Sequence, residues 1–184
     1  MDEMSALSAM CEAILAVAGE PVTADALAQV AGEGVGASRV EEALEALRTR
    51  YEEASGGLVV ERVAGGWRLA TRAELEGPLR EFLGIRARAR LSQAALETLA
   101  IVAYRQPITM PEINFLRGVN SSGVVRTLVE RRLVRVAGRK KVVGTPMLYR
   151  TTREFLIHFG LEDLSQLPTP EEAEGSESEG ISDR

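Results

Sequence analysis

The chain of 184 residues has one cysteine, Cys11, and one histidine, His158. A lone thiol excludes an internal disulfide and any cysteine-based zinc cluster, and no histidine pair exists to hold a metal. Long apolar runs are also missing. The longest, Ala13 to Ala18, is far short of the roughly 20 residues that span a bilayer. The opening Met1-Asp2-Glu3 lacks the basic stretch of a secretory signal. These absences predict a soluble, cytoplasmic chain with no membrane partner.

Catalysis needs a nucleophile near a base, usually with a third group to orient the base. His158 stands between Phe155 and Phe159 late in the last predicted helix, where it reads as a packing or surface residue. Cys11 falls on an apolar stripe, where a free thiol behaves as a small hydrophobe. Gly32-Glu33-Gly34-Val35-Gly36 follows a helix, whereas a phosphate-cradling loop follows a strand and opens a helix. There is no phosphate-loop lysine, since Lys140 and Lys141 are the only lysines. The expectation is a chain with no enzymatic activity, no cofactor, no metal and no small-molecule substrate.

What is present is a pattern that occurs twice. A helix from Ser5 to about Val17 places Leu7, Met10, Cys11, Ile14, Leu15 and Ala18 on one face. Thr23 is expected to cap a short helix that buries Ala26, Leu27 and Val30. Ser38 and Glu41 fit a capping box before a third helix with the stripe Val40, Ala43, Leu44 and Leu47. Leu58 to Val63 and Trp67 to Ala70 then read as a hairpin. Thr71 and Glu74 fit another capping box, on a helix ending near Gly84.

The second half follows the same order. Leu91, Ser92 and Leu96 fit a hydrophobic staple on a helix from Gln93 to Tyr104. Gln106-Pro107-Ile108-Thr109 matches Glu20-Pro21-Val22-Thr23, and Thr109 with Glu112 fits a capping box. Val124, Val125, Leu128 and Val129 mark a third helix. Leu133 to Val136 and Met147 to Arg150 read as the strands of a wing, and Thr151 with Glu154 repeats the Thr71 and Glu74 signal. The offset between matched positions falls from 86 at Pro21 and Pro107 to 80 at Thr71 and Thr151, a drift that loop deletions explain. Three helices and a hairpin, twice, predict a mainly α chain with small β wings: two tandem winged-helix domains. The division is residues 1–84, a linker at 85–90, residues 91–168, and a disordered acidic tail at 169–184. Each domain would bury only about 60–65% of its unfolded surface.

Charge separates the parts. Residues 1–90 carry −5, residues 91–168 carry +5, and residues 169–184 carry −5. A chain that coats a polyanion along its length is basic throughout; this one is not. In the first repeat the third helix, where a winged helix reads the major groove, carries Glu41, Glu42, Glu45, Glu52 and Glu53, a surface that phosphate repels. The second repeat offers Arg126, Arg131, Arg132, Arg135, Arg139, Lys140 and Lys141. Of these, Arg126, Arg135, Arg139, Lys140 and Lys141 are candidates for weak contact with DNA or with an acidic partner. Ile113, Phe115 and Leu116 crowd one short helix, and surplus apolar surface on a small domain is commonly covered by a partner.

The run Leu96-Glu97-Thr98-Leu99-Ala100-Ile101-Val102-Ala103-Tyr104, together with Gln106-Pro107-Ile108-Thr109, Arg117-Gly118-Val119, Gly138-Arg139, Tyr149-x-Thr151-Thr152 and Phe159-Gly160-Leu161, resembles the segregation and condensation protein B family. The resemblance extends over about residues 5–168. It implies a non-catalytic, homodimeric, tandem winged-helix subunit that binds the central segment of a kleisin, segregation and condensation protein A. Through the kleisin it would meet the SMC ATPase at the nucleoid and support chromosome condensation and partition in cell division. On this reading Tyr104, Phe115, Leu116 and Tyr149 are the kleisin-binding candidates, and Leu7 and Met10 the dimerisation candidates. The rival is a dimeric winged-helix DNA-binding transcriptional regulator.

Overall fold

Residues 3–84 and 90–169 are described by a computed structural model. The expected linker falls almost wholly, and the expected tail from residue 170, outside the described residues. In the first repeat, α1 (Glu3–Val17), α2 (Ala24–Ala31) and α3 (Ala37–Glu53) precede an antiparallel hairpin of β1 (Leu58–Val63) and β2 (Gly66–Thr71), followed by a 3-10 turn and α4 (Glu76–Phe82). The second repeat runs α5 (Gln93–Arg105), β3 (Ile108–Thr109), α6 (Met110–Arg117), α7 (Ser122–Glu130), β4 (Val134–Arg139), β5 (Met147–Thr151) and α8 (Arg153–Phe159). The order helix, helix, helix, hairpin occurs in both halves, as in a winged helix.

Each half encloses its own core. Leu7, Cys11, Leu15, Leu27, Val40, Ala43, Leu44, Leu47, Val60 and Trp67 form the first. Leu99, Val102, Ile113, Val125, Leu128, Val134 and Phe155 lead the second. Each large aliphatic side chain enclosed in this way contributes about 1.5–3 kcal/mol. The α3 stripe is buried throughout, at Val40, Ala43, Leu44 and Leu47. In α2 the buried phase is Ala24 and Leu27, with Ala28 and Ala31 packed against the same core. Val30 therefore faces outward and is exposed, as is Ala26, contrary to the sequence expectation.

The duplication extends to the sheets. β3 pairs with β5 through Ile108 and Tyr149, giving the order β3-β5-β4. In the first repeat Val22 forms an isolated bridge with Trp67, with both backbone hydrogen bonds at 2.8 Å. Val22 is the sequence counterpart of Ile108, so the same short edge segment closes both wings.

Capping follows the sequence only in part. Thr23 Oγ1 accepts from Ala26 N at 3.2 Å, Ser92 Oγ from Ala95 N at 3.3 Å, and the Thr109–Glu112 box is complete. Leu91 packs against the second core, but Leu96, its expected staple partner, stays exposed. Three other signals are corrected. Gly36, not Ser38, precedes α3, without a side-chain cap. Thr71 ends β2, pairing with Leu58, and Arg72 precedes the next turn. Thr151 likewise belongs to β5, and the cap of α8 is Thr152, whose Oγ1 accepts from Phe155 N at 3.1 Å. In the last two cases the hairpin keeps the threonine that local pattern had assigned to a helix.

The two halves touch through the tip of the first hairpin. Ala64 N donates to Leu161 O at 2.8 Å and Gly65 N to Glu162 O at 3.0 Å. Arg62 meets Glu162 at 2.8 Å while its guanidinium lies over the Trp67 ring.

Candidate functional site

Among the described residues there is no group of three or more histidine, cysteine or carboxylate side chains placed to hold a metal, and no helix is long and apolar enough to cross a membrane. Cys11 is fully buried, and burial pushes its thiol up, which disfavours the reactive thiolate. His158 is exposed and meets Phe159 edge-on at 5.0 Å. The surfaces of interest are therefore the exposed apolar side chains and the second wing.

The first of these surfaces lies on α6. Its short amphipathic turn buries Ile113 completely, and helical geometry puts Phe115, two positions on, on the far side of the helix. Phe115 is 84% exposed and Leu116 is 47% exposed. Both line a shallow groove of about 420 Å³ with Arg105, Pro107, Ile108, Pro111 and Glu112. The groove's floor comes from the α5–β3 corner and the first turn of α6, and the capping box fixes that turn. Glu112 Oε2 accepts from Thr109 N at 2.8 Å and from Thr109 Oγ1 at 2.6 Å, while Oε1 accepts from Lys140 Nζ at 2.6 Å. Lys140 and Thr109 together hold the Glu112 carboxyl down at about 2. The wing tip is thereby tied to the helix that presents Phe115.

The other kleisin candidates lie outside this groove. Tyr104 is exposed near the end of α5, and its hydroxyl donates to Pro168 O at 2.5 Å. Tyr149 is half-buried on the central strand and packs against the second core. Val102, one helical turn from the exposed residues of α5, is fully buried. The dimerisation candidates turn inward: Leu7 is buried in the first core and Met10 packs against it. Leu7 is enclosed with the α1 stripe in its own repeat, and Met10 is half-buried beside it. The most exposed large apolar side chains of the first repeat are Val17, Val30, Phe82 and Leu83; of these the sequence pattern named Val30, and as a core residue.

The basic candidates also divide. Arg126 pairs with Glu130 at 2.9 Å along one face of α7, and Lys140 is engaged by Glu112. Arg139 donates to Thr145 O at 3.1 Å across the wing loop. Arg135 and Lys141 are exposed. In the first repeat the α3 acids are partly neutralised: Arg48 lies 3.0 Å from Glu45 and 3.5 Å from Glu52.

Comparison with known proteins is consistent along most of the chain. The family described as Segregation and condensation complex subunit ScpB matches residues 9–170. Segregation and condensation protein B of Syntrophotalea carbinolica is 47% identical over 166 residues, covering 90% of this chain and 83% of that protein. Its counterpart in Desulforamulus reducens is 47% identical over 161 residues, covering 88% and 87%. The crystal structure of ScpB from Mycobacterium tuberculosis is similar at 36% identity, with a TM-score of 0.42, over 88% of this chain and 99% of that one.

Proposed function

The chain belongs to the ScpB family of segregation and condensation complex subunits, and from that premise we propose that it is a non-catalytic subunit that binds the central region of a kleisin. It gives a flexible partner a rigid surface, and ATP hydrolysis belongs to the SMC protein that the kleisin bridges. In this reading residues 1–84 form the dimerising unit, 91–168 the kleisin-docking unit, 85–90 their linker and 169–184 an acidic tail. The assembly acts at the nucleoid in chromosome condensation and partition.

The observation that carries this reading is Phe115. It is a large ring 84% exposed beside a groove floored by Pro107, Ile108 and Pro111. Aromatic anchors beside apolar pockets dominate many interfaces, and an amphipathic peptide helix laid into such a groove is a recurrent docking mode. Tyr104, Leu116 and Tyr149 contribute around it. Dimerisation falls to the first repeat, with Val17, Val30, Phe82 and Leu83 as the available apolar contacts.

The test is titration of the kleisin's central segment into the full chain and into Phe115→Ala and Tyr104→Ala variants. Weakened binding by folded variants supports the placement; normal binding by both removes it. The DNA-binding regulator has less support, because α3 is lined with glutamates and Arg126 on α7 is engaged by Glu130.

A further inference from the structure

Arg135 on β4 and Arg150 on β5 stand directly opposite each other in the antiparallel register. Side chains so related share a face with β-carbons about 5 Å apart, and like charges there destabilise the pair. Both are exposed, as is Arg105 at the end of α5. None of the ion pairs among the described residues engages any of the three. Guanidiniums present forked donors that match carboxylates bidentately. A cross-strand repulsion kept without a carboxylate is a cost that an acceptor from outside the fold would offset.

These cations adjoin the groove of Phe115. The register that sets Ile108 across from Tyr149 continues one step back to Pro107 across from Arg150. Gln106 Oε1, accepting from Thr151 N at 2.9 Å, holds the chains in that alignment. Ile108 and Tyr149 belong to the second core. Alternation along a strand then turns Pro107 and Arg150 to the opposite face, with Arg135 beside them. Pro107 and Arg105 line the groove together with Phe115 and Leu116. Neighbouring strands lie about 5 Å apart, so Arg150 is one strand from the groove wall and Arg135 two. The groove's own carboxylate, Glu112, is taken up by Lys140 and Thr109, which leaves the three arginines uncompensated.

We propose, on the premise that the kleisin docks at this groove, that the docked segment is acidic as well as apolar. Its apolar side chains cover Phe115, Leu116 and Pro107, and its carboxylates meet Arg105 and the Arg135–Arg150 pair. On a helical segment, carboxylates one to two turns from the apolar anchor, roughly 5–11 Å, reach the pair. Duplex DNA fits this surface less well. It offers nothing to cover Phe115, and Arg126, on the helix that would enter its major groove, is paired with Glu130.

The test titrates the kleisin's central segment into the full chain, an Arg135→Gln, Arg150→Gln double variant, Arg105→Gln and Phe115→Ala. Each is measured at about 0.1 M and about 1 M salt, between which the Debye length falls from about 10 Å to roughly 3 Å. At the lower salt the double variant should bind about three- to tenfold more weakly than the parent, and Arg105→Gln about two- to fivefold. At the higher salt both should match it. Removing the cross-strand repulsion leaves the double variant at least as stable as the parent, which a thermal melt checks. A segment with every Asp and Glu changed to Asn and Gln should bind parent and double variant equally. If Phe115→Ala weakens binding while the arginine variants match the parent at low salt, kleisin docking stands and the acidic occupant is overturned. If Phe115→Ala binds normally, the docking site itself fails and takes this inference with it. If duplex DNA, and not the segment, loses affinity in the double variant, the arginines serve nucleic acid and the proposal is overturned.

Discussion

Arg153, in the first turn of α8, donates from Nη2 to the carbonyl oxygen of Pro21 at 2.7 Å and from Nε to Ala64 O at 3.4 Å. A side chain of the second repeat thereby satisfies two backbone acceptors of the first, beside the hydrogen bonds from Ala64 and Gly65 to residues 161 and 162. A hydrogen bond from a charged donor contributes about 1.5–3 kcal/mol. Arg153→Ala is therefore expected to speed hydrogen exchange at the Ala64 and Gly65 amides by about tenfold or more. Amides in the middle of α3 should keep their rates. Unchanged exchange at the hairpin tip would mean that Arg153 does not hold the repeats together.

The docking site predicts a separation of binding from stability. Phe115 makes little of its own fold, so Phe115→Ala should leave the melting temperature of its repeat within about 2–4 °C, as for surface changes within roughly 0.5 kcal/mol. Kleisin binding should weaken by about 2 kcal/mol or more, some thirtyfold in Kd. Calorimetric titration beside a thermal melt reads both quantities. A variant that loses stability in proportion to affinity would place Phe115 in the fold and not at the interface.

Tyr104 offers a finer division. Its hydroxyl is engaged by Pro168 O, so a partner would use the ring face. Tyr104→Phe should retain kleisin affinity while loosening residues 164–168 by roughly 0.5–1.5 kcal/mol, the net worth of one hydrogen bond. Faster exchange at the Leu167 amide, which donates to Leu164 O, would register the loss. If Tyr104→Phe binds as poorly as Tyr104→Ala, the hydroxyl itself meets the partner.

The separate cores predict separate damage. Leu44 and Leu128 are both fully enclosed, one in each repeat. Leu44→Ala should destabilise the first repeat by about 2–5 kcal/mol, visible as faster exchange across α1 and α3 with α5 and α7 protected as before. Leu128→Ala should do the reverse. Equal loss of protection across both halves after either change would mean that the repeats unfold as one unit.

These outcomes follow from how sequence pattern and tertiary contact divided the work. Helical stripes were legible because burial recurs every three to four residues: Val40, Ala43, Leu44 and Leu47 needed no knowledge of what they pack against. Short-range capping was legible where the carboxylate could serve the cap and a distant group together, as Glu112 does with Oε2 on Thr109 and Oε1 on Lys140. Thr109 and Glu112 close their box, whereas Ser38 and Glu41 have the same spacing and do not. The Glu41 carboxylate instead accepts from Trp67 Nε1 at 3.0 Å, 26 positions away. Leu7 was legible as apolar, but pattern does not distinguish a side chain covered by its own core from one covered by a partner. The Arg153–Pro21 contact joins positions 132 apart, and no local signal announces it. Phe115 stood out because Ile113 and Leu116 crowd the same short helix, and the chain could not bury all three.

The tie between wing and α6 is open to titration. The Glu112 carboxyl sits at about 2 in the fold, below its ordinary value of 4.5, first through the hydrogen bond from Lys140 Nζ and then through Thr109. A depressed carboxylate pKa stabilises the fold fully above the unfolded value and loses that contribution as pH falls through the folded one. The stabilisation is thus intact above about 4.5, declines between 4.5 and about 2, and is gone below. Lys140→Met should move the Glu112 midpoint back toward 4.5, leaving only the depression that Thr109 supplies, as read by carboxyl NMR titration. Over the same pH range it should also free the wing loop, seen as faster exchange at the Lys141 and Val142 amides. If the Glu112 midpoint does not move in Lys140→Met, the ammonium does not engage that carboxylate in solution, and the wing is not fixed to the helix that carries Phe115.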